Sequence, residues 1–429
     1  MDKIEILGGK RLSGTVEVSG AKNALLPILA ASLLTPEKCT IRNVSRLKDV
    51  STMLKIMEGL GVNVKQRSDS IEVESGYFQG NEASYDLVKT MRASICILGP
   101  LLARKKIARV SLPGGCIIGS RPIDLHFKGL RALGADIECR HGYINAEVDA
   151  LRGRRIYLGG PFGSSVLATA NVMMAAATAE GTTYIESAAA EPELADLAEF
   201  LKKMGASIEG AGTPIVKIEG VKNLKGAEHA VIPDRIEAGT YLVAGAITGG
   251  DVFVKNARID HLGAVLDVLD SAGCAMEVKD EGINIKSEGR VKSVEITTLP
   301  YPGFPTDMQA QFMSLLSVAK GISIITEKVF PERFIHVGEL NRMGAAINLE
   351  GPTAIIKGVK SLGGTDVMAS DLRASAALVL SGLVAEGKTT VSRVYHLDRG
   401  YENMVEKLQA LGADINLSLI HISEPTRPY

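Results

Sequence analysis

Six copies of one helix-ending sequence recur along this 429-residue chain at almost constant spacing. In each copy a glycine follows the last residues of a predicted helix and precedes a β-rich segment. The six glycines lie 68 to 73 residues apart and are Gly61, Gly134, Gly205, Gly273, Gly344 and Gly412. A repeat of this length is a small supersecondary unit rather than one turn of a solenoid. The chain is therefore predicted to fold as six similar units.

Each unit has the same order of predicted elements. An almost wholly apolar helix comes first, and such a helix is usually buried on all sides. A glycine-containing turn, a β-rich segment, an amphipathic helix and a further strand follow. The apolar helices are predicted at 24–34, 93–103, 166–179, 238–247, 310–319 and 374–385. Three units would close one lobe with helices inside and sheets outside, so the pattern predicts an α/β protein with two lobes.

The polar stretch 220–229 lies between the third and fourth units and is the predicted crossover between the lobes. The first lobe is predicted at residues 22–229. The second lobe is predicted to combine residues 1–21 with 230–417, because the N-terminal strand at 3–18 precedes the first unit and is available to pair there. Residues 418–429 break the repeat pattern, and we expect a disordered or non-native tail.

Composition excludes several classes of function. The net charge is −1, aromatic residues make up 4% and tryptophan is absent, which argues against a nucleic-acid partner. The chain opens without a secretory signal, and its apolar runs are too short to span a bilayer, so we expect a cytoplasmic protein with no membrane partner. Five cysteines without repeated spacing argue against a disulfide framework and a zinc site. We expect no metal and no cofactor.

One of these cysteines, Cys116, lies in a glycine-rich loop at 112–126, five residues before Arg121. A nearby guanidinium favours the thiolate, which is the reactive form of cysteine. A structural role is the alternative for any single cysteine. The other four, Cys39, Cys96, Cys139 and Cys274, are predicted to be small buried hydrophobic residues.

Polar residues precede or begin the predicted buried helices. The positive end of a helix favours anions, so a group of such helix starts suits phosphates and carboxylates. Helix capping is the alternative explanation for an Asp or Ser at these positions, including Ser165, Asp307 and Asp371. Lys22, Arg92 and Arg373 are different, because a cation at a helix N-terminus opposes the dipole. Their placement predicts a bound anion.

Several ordered segments resemble the UDP-N-acetylglucosamine enolpyruvyl transferases (1-carboxyvinyltransferases). The matching segments are 14–27, 90–94, the loop containing Cys116, 191–193, 304–311, 333–336, 371–375 and 396–402. Together they extend from the first strand to about residue 414. The resemblance implies a two-lobed inside-out α/β barrel with three repeated units in each lobe, which agrees with the repeat.

The resemblance also implies a reaction. The family transfers the enolpyruvyl group of phosphoenolpyruvate to the sugar 3-hydroxyl of UDP-N-acetylglucosamine and releases phosphate, by addition and then elimination. This is the first committed step of bacterial peptidoglycan synthesis, and so supports cell-wall biogenesis, cell shape and division. Such chemistry needs an acid near the methylene carbon, a base near the hydroxyl and cations for the anionic groups.

Carried over position by position, the resemblance gives Cys116 as the proton donor and the site of a covalent phosphoenolpyruvate adduct, and Asp307 as the base. Phosphoenolpyruvate would contact Lys22, Asn23, Arg121 and Arg399. UDP-N-acetylglucosamine would contact Arg92, Arg121, Pro122, Ile123, Asp124, Leu125, Ser165, Val166, Asp307 and Val329. Supporting positions are Glu191, Asp371 and Arg373.

One departure from the family pattern lies before the third buried helix. Leu167 replaces a family glycine that lets the backbone approach the diphosphate, which predicts weaker nucleotide binding or a rebuilt loop. Because of Leu167, an alternative function remains: a duplicated, non-catalytic protein that binds the nucleotide sugar and regulates the pathway.

Two related enzymes are further alternatives. The enolpyruvyl transferase that acts on shikimate 3-phosphate shares the fold but lacks the loop around Cys116. The RNA 3′-terminal phosphate cyclases share the repeat architecture but need a nucleotidylated histidine, whose surrounding pattern is missing at His126, His336 and His396.

Overall fold

The computed structural model describes residues 3–89, 91–113 and 123–418. The chain divides into two compact units, each with its own hydrophobic core. The first unit contains residues 19–234 with 300–302, and the second contains the remaining residues. Three predicted site residues, Cys116, Arg121 and Pro122, lie outside the described residues, as does nearly all of the predicted tail. Within the described ranges, every helix is too short or too polar to cross a membrane.

The described chain begins with two strands, β1 (Lys3–Leu7) and β2 (Ser13–Glu17), which belong to the second unit. The first unit then follows with three repeats. Its elements are α1 (Lys22–Ala31), β3 (Lys38–Arg42), α2 (Lys48–Gly59), β4 (Asn63–Gln66), β5 (Ser70–Glu74), β6 (Glu82–Ala83), α3 (Tyr85–Val88), α4 (Leu98–Lys105), β7 (Ile107–Ser111), α5 (Asp124–Ala132), β8 (Asp136–Arg140), β9 (Tyr143–Glu147), β10 (Arg155–Tyr157), α6 (Val166–Ala176), β11 (Thr182–Glu186), α7 (Pro192–Lys203), β12 (Ser207–Glu209), β13 (Ile215–Glu219) and β14 (Glu228–Ala230).

Three four-stranded sheets of the first unit have the same topology. Their strand orders are β14-β3-β5-β4, β6-β7-β9-β8 and β10-β11-β13-β12. In each sheet the first pair is parallel and the other two pairs are antiparallel. Most of the polar stretch 220–229 is a loop, its last two residues begin β14, and β14 pairs with β3 of the first repeat. The boundary between the units therefore falls at residues 234 and 235, beyond that stretch.

The second unit repeats this arrangement. Its further elements are α8 (Arg235–Ile247), β15 (Asp251–Lys255), α9 (Ile259–Ser271), β16 (Ala275–Lys279), β17 (Gly282–Lys286), β18 (Glu295–Thr298), α10 (Gln309–Ser317), β19 (Ile322–Glu327), α11 (Val337–Arg342), β20 (Ala346–Glu350), β21 (Thr353–Lys357), β22 (Leu362–Gly363), β23 (Asp366–Met368), α12 (Leu372–Gly382), β24 (Ala385–Glu386), β25 (Lys388–Ser392), α13 (Met404–Ala410) and β26 (Asp414–Ser418).

The N-terminal strands complete two sheets of the second unit. Strand β1 lies between β25 and β26, and β2 pairs with β15, which gives the orders β23-β25-β1-β26 and β16-β17-β15-β2. The third sheet has the order β18-β19-β21-β20. Short 3-10 helices at Arg92–Ile97, Thr306–Met308 and Val394–Arg399 precede α4, α10 and α13.

The apolar helices form the interior of each unit. In α6, α8 and α12 almost every residue is buried, whereas α2, α7 and α9 bury one face. Helices inside and sheets outside confirm the predicted fold class. The burial follows from the sequence, because removing the apolar surface of such a helix from water lowers the free energy on every side of it.

The six repeated glycines end their helices in the same way. Each has a positive φ, between 88° and 105°, which only glycine adopts without strain. In every copy the residue after the glycine donates its N–H to the carbonyl five residues earlier, as Val62 does to Met57 and Ala413 does to Leu408. This is the Schellman arrangement, which satisfies carbonyls that the helix end leaves free.

One prediction about the cysteines is wrong. Cys39, Cys96 and Cys274 are buried, but Cys139 is exposed. It lies near the end of β8, an edge strand that pairs only with β9, and its neighbours Glu138 and Arg140 are exposed too. The alternation that buries Ile137 does not continue to the end of the strand.

Candidate active site

Except for Val329 and Arg399, the described candidate residues lie at or next to helix starts. Lys22 begins α1, Arg92 begins the 3-10 helix before α4, and Ser165 is the N-cap of α6. In the second unit, Asp307 precedes α10 and Asp371 is the N-cap of α12. This placement follows from the repeat, which puts the same end of each buried helix after the same kind of strand.

Lys22 is ion-paired within the first unit. Its Nζ lies 3.1 Å from Oδ2 of Asp49, and the two side chains are only 11% and 6% exposed. Asp49 lies in the first turn of α2, where a carboxylate also complements the helix dipole. The Asp49 carboxylate therefore provides one negative charge beside Lys22, where the sequence predicts a bound anion. Asn23, the next residue, is half-buried.

The last residues of the predicted loop at 112–126 begin helix α5 instead. Ile123 is its N-cap residue, Asp124 is exposed in the first turn, and Leu125 is half-buried. The following residue, His126, is buried. Burial, and then the positive charge of Arg92, lower its pKa to about 3, so the ring is neutral at physiological pH. Arg92 therefore acts electrostatically on the first turn of α5.

Helix α6 begins regularly despite the substitution at Leu167. The Ser165 hydroxyl accepts a hydrogen bond from the N–H of Ala168 at 3.4 Å, which is an N-cap contact. Val166 and Leu167 are half-buried and pack against the core. Leucine occupies the first turn as an ordinary helical residue.

Glu191 is the N-cap residue of α7, and Pro192 follows at the first helical position. Proline is well suited there, because its missing N–H would have no helical partner. The carbonyl of Glu191 accepts the N–H of Leu194, and its side chain is half-buried. Glu191 thus fixes the start of a helix of the first unit.

In the second unit, Asp307 is held by two guanidinium groups. Its Oδ1 accepts a hydrogen bond from Nη1 of Arg333 at 2.8 Å, and its Oδ2 accepts one from Nη2 of Arg373 at 2.9 Å. The arginine side chains are 6% and 4% exposed, whereas that of Asp307 is 27% exposed. The carboxylate is therefore the accessible member of a largely buried charge cluster.

These contacts set the acidity of Asp307. Burial by itself raises the pKa, but the charges of Arg373 and Arg333 and their hydrogen bonds outweigh it and hold the pKa well below 3.8. The side chain is ionised and can accept a proton only weakly while both arginines remain bound. A ligand anion that draws either guanidinium away would make Asp307 a stronger base.

Glu327 organises the residues around Asp307. Its carboxylate is fully buried and accepts hydrogen bonds from the hydroxyls of Thr298 at 2.6 Å and Thr306 at 2.9 Å. It also accepts the backbone N–H groups of Val329 and Phe330, both at 2.9 Å. The predicted contact residue Val329 is thereby fixed by the carboxylate that also orients Thr306.

Asp371 caps α12 through its side chain. Its Oδ1 accepts the N–H groups of Arg373 at 2.9 Å and Ala374 at 3.1 Å, which is a helix-capping role. The charge of Asp371 also acts on buried His336. Burial lowers the pKa of His336 to about 4, with Asp371 opposing the shift and Arg333 reinforcing it. His336 is therefore neutral beside the charge cluster.

Arg373 and Arg399 are supported by neighbouring segments of the second unit. The guanidinium of Arg373 lies 5.4 Å from the ring centre of Tyr401, a cation–π distance. The Tyr401 hydroxyl contacts Oγ1 of Thr240 at 2.9 Å and accepts from Nε2 of Gln311 at 3.1 Å. Arg399 ends a 3-10 helix, and the next residue, Gly400, packs so closely on Leu372 that a Cβ would lie 2.5 Å from it.

Several neighbours of the candidate residues were not predicted from the sequence. Arg333 and His336 lie within a segment that matched the family, but no role followed from the match. Asp49, Glu327 and Tyr401 have no local pattern that distinguishes them from other acidic or aromatic residues. Over the described ranges, no group of three or more His, Cys, Asp or Glu side chains is arranged to hold a metal ion.

Comparisons with known proteins find relatives over nearly the whole chain. The sequence model of the EPSP synthase (3-phosphoshikimate 1-carboxyvinyltransferase) family matches residues 6–408. The chain is 55% identical over 415 residues to the UDP-N-acetylglucosamine 1-carboxyvinyltransferase of Desulfosudis oleivorans, covering 97% of this chain and 99% of the relative. It is likewise 55% identical over 418 residues to the protein of that name from Myxococcus xanthus, with coverage of 97% and 99%.

Solved structures are similar over almost the whole chain. The enolpyruvyl transferase NikO from Streptomyces tendae is 26% identical with a TM-score of 0.88, covering 97% of this chain and 99% of NikO. An EPSP synthase from Acinetobacter baumannii is 21% identical with a TM-score of 0.75, covering 98% and 100%, and is similar in fold alone.

Proposed function

Since the chain belongs to the UDP-N-acetylglucosamine 1-carboxyvinyltransferase family of enolpyruvyl transferases, we propose that it makes the enolpyruvyl ether of UDP-N-acetylglucosamine. The substrates are phosphoenolpyruvate and the nucleotide sugar, and the second product is phosphate. The observation that carries this proposal is Asp307, an ionised carboxylate held between Arg333 and Arg373 in a segment that matches the family.

The reaction consists of an addition and an elimination. In the addition, the sugar 3-hydroxyl loses its proton to Asp307 and its oxygen bonds to C2 of phosphoenolpyruvate, while Cys116 donates a proton to C3. The tetrahedral ketal then returns a proton from the new methyl group to the Cys116 thiolate, the bond from C2 to the phosphate oxygen breaks, and the leaving phosphate takes the proton held by Asp307. Phosphate leaves and the enol ether forms, so the protons and electron pairs balance.

The cations have separate roles in this proposal. Lys22, Arg121 and Arg399 neutralise the carboxylate and phosphate of phosphoenolpyruvate, and Asn23 hydrogen-bonds to it. The pairing of Lys22 with Asp49 keeps the ammonium oriented before a substrate arrives. Substrate anions that compete for Arg373 would weaken its bond to Asp307 and raise the basicity of that carboxylate.

The nucleotide sugar is assigned to the first turn of α5 and the start of α6 in the first unit. The resemblance adds Asp307 and Val329 of the second unit as contacts. Arg92 supplies a cation, and Ser165 and Val166 supply the free N–H groups of a helix start, which suit a diphosphate. Arg121 and Pro122 complete this assignment by resemblance. Glu191, Asp371 and Arg373 support the positions of these groups.

The test is a phosphate-release assay with the purified full chain, combined with mass spectrometry of the nucleotide product. We expect release that requires both substrates and a product heavier than UDP-N-acetylglucosamine by one enolpyruvyl group. A parallel reaction with shikimate 3-phosphate tests the sister activity. Release only with shikimate 3-phosphate, or nucleotide-sugar binding without turnover, would refute the proposal in favour of the sister enzyme or a regulatory copy.

We further propose that the enzyme works in the cytoplasm. Both substrates are cytoplasmic metabolites, and the four cysteines in the described part of the chain are free thiols, as expected in a reducing compartment. Fractionation of bacteria that express the chain should recover the activity with the cytoplasmic proteins. Recovery in the membrane or periplasmic fraction would contradict this location.

A further inference from the structure

A buried amide in α6 joins that helix to three neighbouring elements of the first unit. Asn171 lies in the middle of α6 with no exposed surface. Its Oδ1 accepts the N–H of Gly99 at 2.8 Å, and its Nδ2 donates to the carbonyl of Ile95 at 2.9 Å. The same Nδ2 lies 2.8 Å from Nδ1 of His126 in α5. Both polar atoms of this buried amide have hydrogen-bond partners, which points to a specific role for the side chain.

The two backbone contacts fix the orientation of the amide. A backbone N–H can only donate, so the atom that faces Gly99 is the oxygen. A carbonyl can only accept, so the atom that faces Ile95 is the nitrogen. Since Nδ2 has only hydrogens to offer, Nδ1 of His126 must be the acceptor. The neutral ring therefore carries its proton on Nε2.

Close packing holds this amide in place. A Cβ on Gly99 would lie 2.4 Å from the backbone oxygen of Asn171, so a glycine is required there for α4 to approach α6. A Cβ on Gly129 of α5 would lie 2.3 Å from Cγ2 of Val172. Two glycines thus let α4 and α5 contact adjacent residues of α6. The imidazole is fixed with them.

The histidine is next in the chain to residues assigned to the nucleotide sugar. His126 directly follows Asp124 and Leu125 in the first turn of α5, and the positive charge of Arg92 acts on it. A neutral N–H donor near a cation favours an anionic oxygen as its acceptor. The diphosphate of a nucleotide sugar supplies such oxygens.

We propose that Asn171 is a positioning residue that fixes His126 as the Nε2–H tautomer, so that the ring donates to an anionic oxygen of the nucleotide sugar beside Arg92. This inference deepens the proposed function and rests on it. Asn171 does not touch the substrate. Its effect reaches the substrate through one hydrogen bond to one ring nitrogen.

The tautomer can be observed directly in the full chain labelled with ¹⁵N-histidine. The chain has seven histidines, and the signal that disappears in His126→Gln identifies the ring. We expect Nδ1 without a proton and Nε2 with one in the wild type. In Asn171→Asp, the carboxylate can only accept, so the ring proton should move to Nδ1. A wild-type ring protonated on Nδ1, or an unchanged ring in Asn171→Asp, would overturn the proposal.

Kinetics separate positioning from a merely structural role. Asn171→Asp should raise KM for UDP-N-acetylglucosamine about tenfold or more, the effect of losing one hydrogen bond to a charged group. KM for phosphoenolpyruvate should change less than about twofold. Equal changes in both constants, or none, would contradict the role. Asn341→Asp is the control for the change of an amide to a carboxylate, because Asn341 bonds to both backbone groups of Ile347 and contacts no histidine among the described residues.

A pair of variants at His126 tests the same point without altering Asn171. Glutamine reaches the position of Nε2 and keeps a donor there, whereas asparagine reaches only the position of Nδ1. His126→Gln should therefore bind UDP-N-acetylglucosamine more tightly than His126→Asn, by about tenfold in calorimetry. The reverse order would overturn the proposal. Wild-type protein that binds the nucleotide sugar but releases no phosphate would remove only the proposed catalytic function.

Discussion

Asp307 and Arg373 are 66 residues apart in the chain, and Oδ2 of the first accepts a 2.9 Å hydrogen bond from Nη2 of the second. This contact joins the starts of α10 and α12, two buried helices from successive repeats. Because Arg333 binds the other carboxylate oxygen, Asp307 is ionised but weakly basic until a ligand competes for the arginines. The reactivity of the proposed base is therefore coupled to the arrival of an anion.

Removal of this carboxylate should separate catalysis from folding. Asp307→Asn cannot take the proton from the sugar hydroxyl, so we expect kcat to fall by about 10²–10⁴. It also leaves two largely buried arginines without their anion, which should cost about 3–5 kcal/mol in the free energy of unfolding. Phosphate release and urea unfolding measure the two effects. Asp260→Asn is the control, because Asp260 is an exposed carboxylate paired with Arg258. A variant that keeps wild-type kcat would exclude Asp307 as the base.

The buried histidines should make the protein less stable in acid. The folded-state pKa values of His126 and His336 are lowered to about 3 and 4, whereas the unfolded side chains titrate near 6.5. Between pH 6.5 and about 4, the unfolded state binds more protons, so stability falls as pH falls, by about 1.4 kcal/mol per pH unit for each histidine. Urea unfolding from pH 7 to 4.5 should show this slope. His336→Gln should lower the slope of unfolding free energy against pH by the contribution of one proton. An unaltered slope would contradict the conclusion that His336 is buried and neutral.

Thiol labelling should distinguish Cys116 from the other cysteines. Burial raises the pKa of Cys39 and Cys274 to about 11 and of Cys96 to about 12, so these thiols should not react with an electrophilic phosphonate epoxide. One equivalent should add at Cys116, as peptide mass mapping will show. Cys116→Ser should lose both the label and most activity, whereas Cys116→Asp should keep part of the activity because a carboxylic acid also donates protons. Exposed Cys139 provides the control, since preferential labelling there would refute the special reactivity of Cys116.

Lys22 and Asp49 allow the structural and binding roles of a charge to be separated. Lys22→Met removes the ammonium from a nearly buried carboxylate, which should cost up to about 3–5 kcal/mol in unfolding free energy. The double variant Lys22→Met with Asp49→Leu should recover most of that stability, because no buried charge remains. Its KM for phosphoenolpyruvate should stay at least about tenfold above the wild-type value, since the cation is still missing. Recovery of both stability and KM would show that Lys22 has only a structural role.

The sequence by itself determined the repeat, the buried helices, the glycine that ends each amphipathic helix and the placement of candidate residues at helix starts. These features are local, since periodicity and turn chemistry act over a few residues. The tertiary structure alone decided which side chains meet: Asp49 with Lys22, Arg333 and Arg373 with Asp307, and Asn171 with His126. It also exposed Cys139 on an edge strand. Such partners lie on different elements, and their pKa values depend on burial and neighbouring charge that no local pattern specifies.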